Sequence, residues 1–220
     1  PESKINFLDS IQNPLLRYSY EDHFIMRMGY SFYHSNKKER DLLTSPFQEN
    51  VYTVRAGVET AGNLLYGISN AIGSQKKDGA YEVFGIRYSQ YAKVDFDYSL
   101  THNFTPKSSV AFRVGFGAAV PYGNSNVLPF EKRFYAGGAN SVRGWSVRSL
   151  GPGAYNGYDR GINFINQSGD IKLDLNFEYR ARLFWKFSGA FFIDAGNIWT
   201  IREYEEQPGG QFHFDTFWKQ

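Results

Sequence analysis

The chain has 220 residues, 42% hydrophobic and 18% aromatic, with a formal net charge of +2 and no cysteine. That length suits one all-β domain, the missing cysteines exclude a disulfide framework or thiolate metal site, and so mild and scattered a charge excludes a nucleic-acid surface. Mean hydropathy is −0.47, and no apolar run nears the roughly 18 residues of a transmembrane helix, so a helical membrane protein is excluded while a β-barrel, polar along half of each strand, is not.

Side chains alternate across a strand, so a period of two marks a strand with one oily and one wet face. Phe24, Met26, Met28, Tyr30 and Phe32 alternate with Arg27, Gly29 and Ser31. Tyr52, Val54, Ala56 and Val58 alternate with Thr53, Arg55, Gly57 and Glu59. From Phe84 to Phe104 the even positions are mostly apolar (Ile86, Tyr88, Ala92, Val94, Phe96, Tyr98, Leu100) and the odd ones mostly polar. Val110 to Val120 repeats the pattern around Ala111, Arg113, Gly115 and Gly117.

The longest run is 171–183, where Ile171, Leu173, Leu175, Phe177, Tyr179, Ala181 and Leu183 oppose Lys172, Asp174, Asn176, Glu178, Arg180 and Arg182. Globular strands average about 5–6 residues; a tilted strand crossing a bilayer needs about 9–11. Lipid would take the apolar face and an aqueous lumen the charged one. In the last strand Phe187, Phe191, Ile193 and Ala195 share the lipid side, and Phe192, Asp194 and Gly196 the other. No segment shows convincing helical periodicity. Tyr20, Phe104, Phe184, Trp185 and Trp199 lie near strand ends, as aromatic girdles do at membrane interfaces.

Six strands do not close a bacterial barrel, which has an even number from 8 upward, and open edges in lipid leave costly bare peptide groups. The expectation is therefore an internal piece of a larger barrel, with Phe217-Trp218-Lys219-Gln220 opening a further strand; association of several copies is the alternative. Short links at Thr105-Pro106-Lys107 and around Phe184-Trp185-Lys186 mark the periplasmic side, and the long links 65–81, 121–170 and 200–216 the outer side. The long link 36–49 falls on the short-turn side without a physical reason.

The connection 121–170 is far longer than an ordinary loop, which makes it functional or disordered. It carries RFYAGGANSVRGWSVRSLGPG at 133–153 and is followed by NFEYR at 176–180 and FFIDAGNIW at 191–199. In order, these motifs resemble the carboxy-terminal barrel of the BamA/TamA family of outer-membrane assembly proteins, the bacterial surface-antigen family. The resemblance runs from about residue 20 onward and corresponds to the eighth to thirteenth strands of a sixteen-stranded barrel; Trp145 stands where many relatives have Phe or Tyr. It implies that residues 1–220 are part of a single all-β, antiparallel transmembrane barrel domain of which this chain holds six to seven strands. It further implies that POTRA domains and seam strands lie outside the chain. The long outer loop would fold inward and place Arg143 against the wall.

The residues alone agree with that fold-back. Glu178 and Asp194 point into the lumen from adjacent strands, and a planar guanidinium engages carboxylates in bidentate fashion. Gly137, Gly138 and Gly144 permit tight turns and close approach to the wall, and Gly196 leaves room beside Asp194. The anchor set that the resemblance implies is Gly137, Gly138, Ser141, Val142, Arg143, Gly144 and Trp145 on the loop, with Glu178, Phe192, Asp194 and Gly196 on the wall; Trp145 and the glycines suggest packing against it.

Blander readings compete. Arg143 alone could be a solvated loop arginine, and Glu178 an ordinary lumen charge. No Gly-Lys-Ser/Thr follows Gly137-Gly138 to make a phosphate cradle. His23, His34, His102 and His213 lack metal-ligand spacing, and Ser141 lacks a nucleophile elbow. The expectation is a non-enzymatic factor in the outer membrane of a Gram-negative-type envelope, without cofactor or metal, that assists insertion or translocation of outer-membrane proteins. By resemblance its partners are outer-membrane lipid, unfolded clients, POTRA domains of the same polypeptide and accessory lipoproteins, with no nucleic acid. The alternatives are a two-partner-type secretion pore and a passive porin or adhesin.

Overall fold

The structure, a computed structural model, describes residues 14–38, 47–156 and 166–215. In chain order the elements are α1 (Pro14–Tyr20), β1 (His23–Phe24), β2 (Arg27–Ser35), β3 (Asn50–Ala61), α2 (Asn63–Ala71), β4 (Glu82–Val83), β5 (Ile86–Tyr88), β6 (Tyr91–Thr105), β7 (Ser108–Pro121), a 3-10 turn at Phe130–Lys132, β8 (Ile171–Arg182) and β9 (Ser188–Trp199). Six strands form one antiparallel sheet in the order β2-β3-β6-β7-β8-β9. The sheet is a barrel wall that does not close among the described residues.

Register explains why the alternation matters. Phe96 pairs with Phe116 and Phe116 with Leu173, while Leu100 pairs with Phe112 and Phe112 with Phe177. Apolar rows therefore cross the sheet on one face, where Val58, Val94, Phe112, Phe177, Tyr179, Phe191 and Ile193 lie exposed. In water such a continuous apolar face would be an association surface; along strands of 12 to 15 residues it is a lipid-facing band. The opposite face carries Glu59, Asp97, Arg113, Asp174, Glu178 and Asp194, and there the long loop packs. Single cysteines along β8 should follow this parity in membranes: a water-soluble maleimide should label Asn176 and Arg180 positions and spare Leu175, Phe177 and Tyr179. Equal labelling of both sets would contradict a membrane wall.

Tight turns at 106–107 and 183–187 occupy one end, the second closed by hydrogen bonds from Leu183 N to Phe187 O (3.0 Å) and Phe187 N to Phe184 O (2.9 Å). Phe104, Phe184, Trp185 and Phe187 are exposed there, as an interfacial girdle requires. The link 36–49 leaves from this same end, with Asn36 bridging to Tyr52 N (2.7 Å) and Asn50 O (3.0 Å) at its base. Residues 39–46 of it, and the proposed further strand at 217–220, lie outside the described residues.

The other end is more structured than periodicity predicts. Two helices, α1 and α2, stand where no helix was expected. Residues 84–104 are not one strand: Phe84 and Gly85 take positive φ (53° and 75°), β5 joins β1 and β4 in a separate three-stranded sheet, and the wall strand begins at Tyr91. Tyr88 and Phe24 thus belong to an outer cap rather than the lipid face, and Tyr88 is fully buried. The break falls at Ser89-Gln90, whose backbone donates elsewhere: Ser89 N to Phe24 O (3.0 Å) and Gln90 N to Ser125 Oγ (2.8 Å). Buried Asn124 joins the cap together, accepting from Tyr81 N (2.6 Å) and donating to Tyr88 O (2.9 Å). Trp199 is likewise no girdle residue; it is buried, edge-on to Phe212 at 5.5 Å.

Candidate functional site

The loop after β7 returns across the inner face and touches it at several heights. At the top, Phe134 exchanges two backbone hydrogen bonds with Gly169 (2.8 Å each), so the loop's two limbs pair like strands. The ring of Phe134 lies over β7 at Gly117, where an added Cβ would stand 2.4 Å from it, and Lys93 Nζ sits 4.3 Å from its centroid. A glycine facing inward here is what admits the ring.

The next turn is sharp. Gly137 and Gly138 have φ of 97° and 90°, and a Cβ on Gly137 would meet Ser146 O at 2.1 Å. Both are therefore restricted to glycine by backbone and by space. Gly144 is different: its Cβ would meet nothing within 4 Å, so the close approach expected of it is not there. Trp145, expected to pack on the wall, is 41% exposed and serves the turn through its backbone, with its carbonyl accepting from Gly138 N (2.8 Å). Val142 packs on the wall in its place, with Cγ2 at 3.1 Å from where a Gly196 Cβ would be. Gly196 thus makes room for Val142 and for Asp174 (3.0 Å), rather than for Asp194.

Arg143 engages both predicted carboxylates at once. Its Nε and Nη2 donate to Asp194 Oδ2 and Oδ1 (2.8 Å each), its backbone N donates to Asp194 Oδ2 (3.1 Å), and its Nη1 donates to Glu178. The guanidinium carbon is 3.9 Å from the Phe192 ring centroid, a cation–π contact that uses the remaining face of the plane. Asp194 and Glu178 come from adjacent strands, so one planar fork spans the β8–β9 seam. Glu178 is shared with Arg180 Nε (2.6 Å).

Three further contacts around it are not readable from the motifs. Ser141 Oγ donates to Asp174 Oδ1 (2.8 Å), whose other oxygen is 2.9 Å from Lys172. Asn176 Nδ2 donates to Ser141 O and to Asp194 Oδ1, both at 2.8 Å. Arg113, paired with Asp97 (2.5 Å), donates to Asn140 O. The tip 140–143 is held through backbone and side chain by β7, β8 and β9, with Asp97 of β6 bracing Arg113. A cleft of about 290 Å³ lies beside it, lined by Ser99, Arg113, Asn140, Arg143, Asn176 and Glu178 among others; its walls are occupied by mutually neutralised charges.

A second anchor, also unforeseen, sits higher. Glu59 on β3 accepts from Arg27 of β2 (2.6 Å) and Tyr91 of β6 (2.5 Å), and its carboxylate is 2.8 Å from loop residue Lys132. The next loop residue, Arg133, is buried with Asp170 (3.4 Å). Charged hydrogen bonds contribute about 1.5–3 kcal/mol each. Glu59→Gln should therefore speed amide exchange at 130–136 while leaving 141–145 protected. Unchanged exchange at 130–136 would show that the upper limb is seated by other contacts.

An apolar-backed sheet whose polar face is locked to an infolded loop defines the wall of a plugged membrane β-barrel. The Omp85 superfamily domain model matches residues 74–213, and the chain belongs to this superfamily. Residues of the chain are 33% identical over 124 positions to the outer membrane protein assembly factor BamA of Neisseria meningitidis serogroup B, covering 50% of this chain and 15% of that protein. They are 32% identical over 120 positions to sorting and assembly machinery component 50 homolog A of Xenopus laevis, covering 54% and 25%. A crystal structure of BamA from Haemophilus ducreyi lacking POTRA domains 1–3 is similar with a TM-score of 0.49 at 17% identity, covering 80% of this chain and 30% of that one. The chain thus spans a quarter or less of the length of these two relatives.

Proposed function

We propose that this chain is wall and plug of an outer-membrane barrel that assists insertion of β-barrel clients. The observation that carries the reading is the loop anchor: Arg143 joins two strands to one loop tip, as a fixed internal support would and a solvated surface loop would not. The names of two relatives, an assembly factor and a sorting and assembly component, support a role in assembly. In this reading the barrel sits in an outer membrane, carries out no covalent chemistry, and works with POTRA domains, accessory lipoproteins and unfolded clients supplied from outside these 220 residues. The test is the complete protein in lipid vesicles given an unfolded β-barrel client. Insertion should accelerate over protein-free vesicles, and a version lacking 133–153 should lose most of that gain. Passage of a soluble polypeptide with no effect on client insertion would overturn the reading in favour of a secretion pore.

A further inference from the structure

Helix α2 leaves an apolar stripe without a protein partner among the described residues. Leu64 and Ile68 on the helix and Ile72 at its C-cap, at four-residue spacing on one face, are 59%, 47% and 72% exposed. The opposite side is docked: Ser69 is buried and accepts from Tyr88 OH (3.5 Å), and Tyr66 meets Tyr81 edge-on at 5.5 Å. No charged residue occurs between Glu59 and Lys76, an unusual composition for a helix surrounded by water.

The helix starts on the lipid side of the rim. Thr60, Ala92 and Val120 form the last outward-facing row of β3, β6 and β7; Val120 in it, and Val58 and Val94 in the row beside it, are exposed. Asn63 is fastened to that row and just above it: its Nδ2 donates to Thr60 Oγ1 (2.5 Å), and its Oδ1 accepts from Gln90 Nε2 (3.0 Å) and Tyr122 OH (2.8 Å). Gly62, at φ 74°, turns the chain from strand to helix without lifting it away; a Cβ there would meet Ser89 O at 2.5 Å. The apolar stripe therefore continues the lipid-facing band past the point where the strands end.

From this continuity we propose that α2 is an interfacial helix whose Leu64, Ile68 and Ile72 rest in the headgroup–acyl boundary of the bilayer that the sheet spans. The occupant of the exposed stripe is lipid. The inference rests on the membrane reading of the sheet, and one control separates the two. The chain has no cysteine, so spin labels can be placed singly at Leu64→Cys, Ile68→Cys, Ile72→Cys, Asn70→Cys and, on the wall, Val94→Cys, in the complete protein in phosphatidylcholine–phosphatidylglycerol vesicles. The ratio of collisions with oxygen to collisions with a neutral nickel chelate should be several-fold higher at 64, 68 and 72 than at 70, and below that at 94. High nickel access at 64, 68 and 72 with a lipid signature at 94 would overturn the helix proposal alone, as would exclusion of both colliders there, which would mean a protein partner. A water signature at 94 as well would overturn the wall along with the helix.

Discussion

Arg143→Ala should release residues 133–153 from the inner wall and lower client insertion while leaving the strands paired. The substitution strands Asp194, 4% exposed at the side chain, beside Glu178. Removing one partner of a buried ion pair costs about 3–5 kcal/mol, against about 0–1 kcal/mol for an exposed one. Arg143 is itself 24% exposed, beside the 290 Å³ cleft, so the lower end, about 3 kcal/mol, is expected. A loop held by that margin would open a hundredfold more often, read as faster proteolysis within 133–153. Asp194→Asn should act in the same direction, since it removes the charge that two guanidinium nitrogens share. Arg143→Lys should restore part of the protection, because an ammonium supplies charge without the fork that spans both carboxylates. Strand pairing between β8 and β9 runs through backbone groups from Ile171 to Arg182, so the wall should survive each change. Wild-type proteolysis and wild-type insertion in both Arg143→Ala and Asp194→Asn would remove the anchor from the mechanism.

The second large effect is expected at Gly117, through crowding rather than charge. A side chain there collides with Phe134, whose Cε1, Cζ and Cδ1 lie 2.4, 2.5 and 3.1 Å from an ideal Cβ. The backbone of Phe134 is paired with Gly169 in both directions, so the ring can yield only by leaving its rotamer over the wall. Overpacking of this kind costs about 1–3 kcal/mol. Gly117→Val should therefore unseat the upper limb of the loop. The strand itself should not suffer, since a β-branched residue favours extended backbone more than glycine does. Combining Gly117→Val with Phe134→Ala should recover part of the lost protection, whereas additive losses would show that the two positions do not share the space.

The wall was legible in the sequence because a strand exposes its parity directly. At 171–183 every second residue changes character, and the structure pairs Ile171–Arg182 with β7 and β9 in the register that puts those apolar residues in rows. The meeting of Arg143 with Glu178 and Asp194 was legible through the family resemblance of the motifs: parity alone turned the two carboxylates inward, but left Arg143 readable as a solvated loop arginine. Parity failed wherever the chain left the sheet. Phe84–Tyr88 keeps its alternation, yet two positive-φ residues and the hydrogen bonds of Ser89 and Gln90 divert it into the cap. At Asn63–Ala71 the four-residue spacing of Leu64, Ile68 and Ile72 is a helical signal that a reading for strand parity passes over, and the usual order is inverted, with a serine bonded to Tyr88 inside and the apolar stripe outside.

What the sequence by itself determined is the architecture: an all-β chain of long strands, one face for lipid and one for polar contacts, with an infolding loop whose arginine needs inward carboxylates. The strands and their two faces follow from local periodicity; the infolding of the loop follows from the resemblance of its motifs to the BamA/TamA family. What only the tertiary structure decided is which distant groups meet: Glu59 with Lys132, Ser141 with Asp174, Gly117 with Phe134, Val142 rather than Trp145 against Gly196. Each of these depends on the depth to which the loop descends and on strand register, both set by many weak packing terms summed over the whole sheet, and no local stretch of sequence carries that sum.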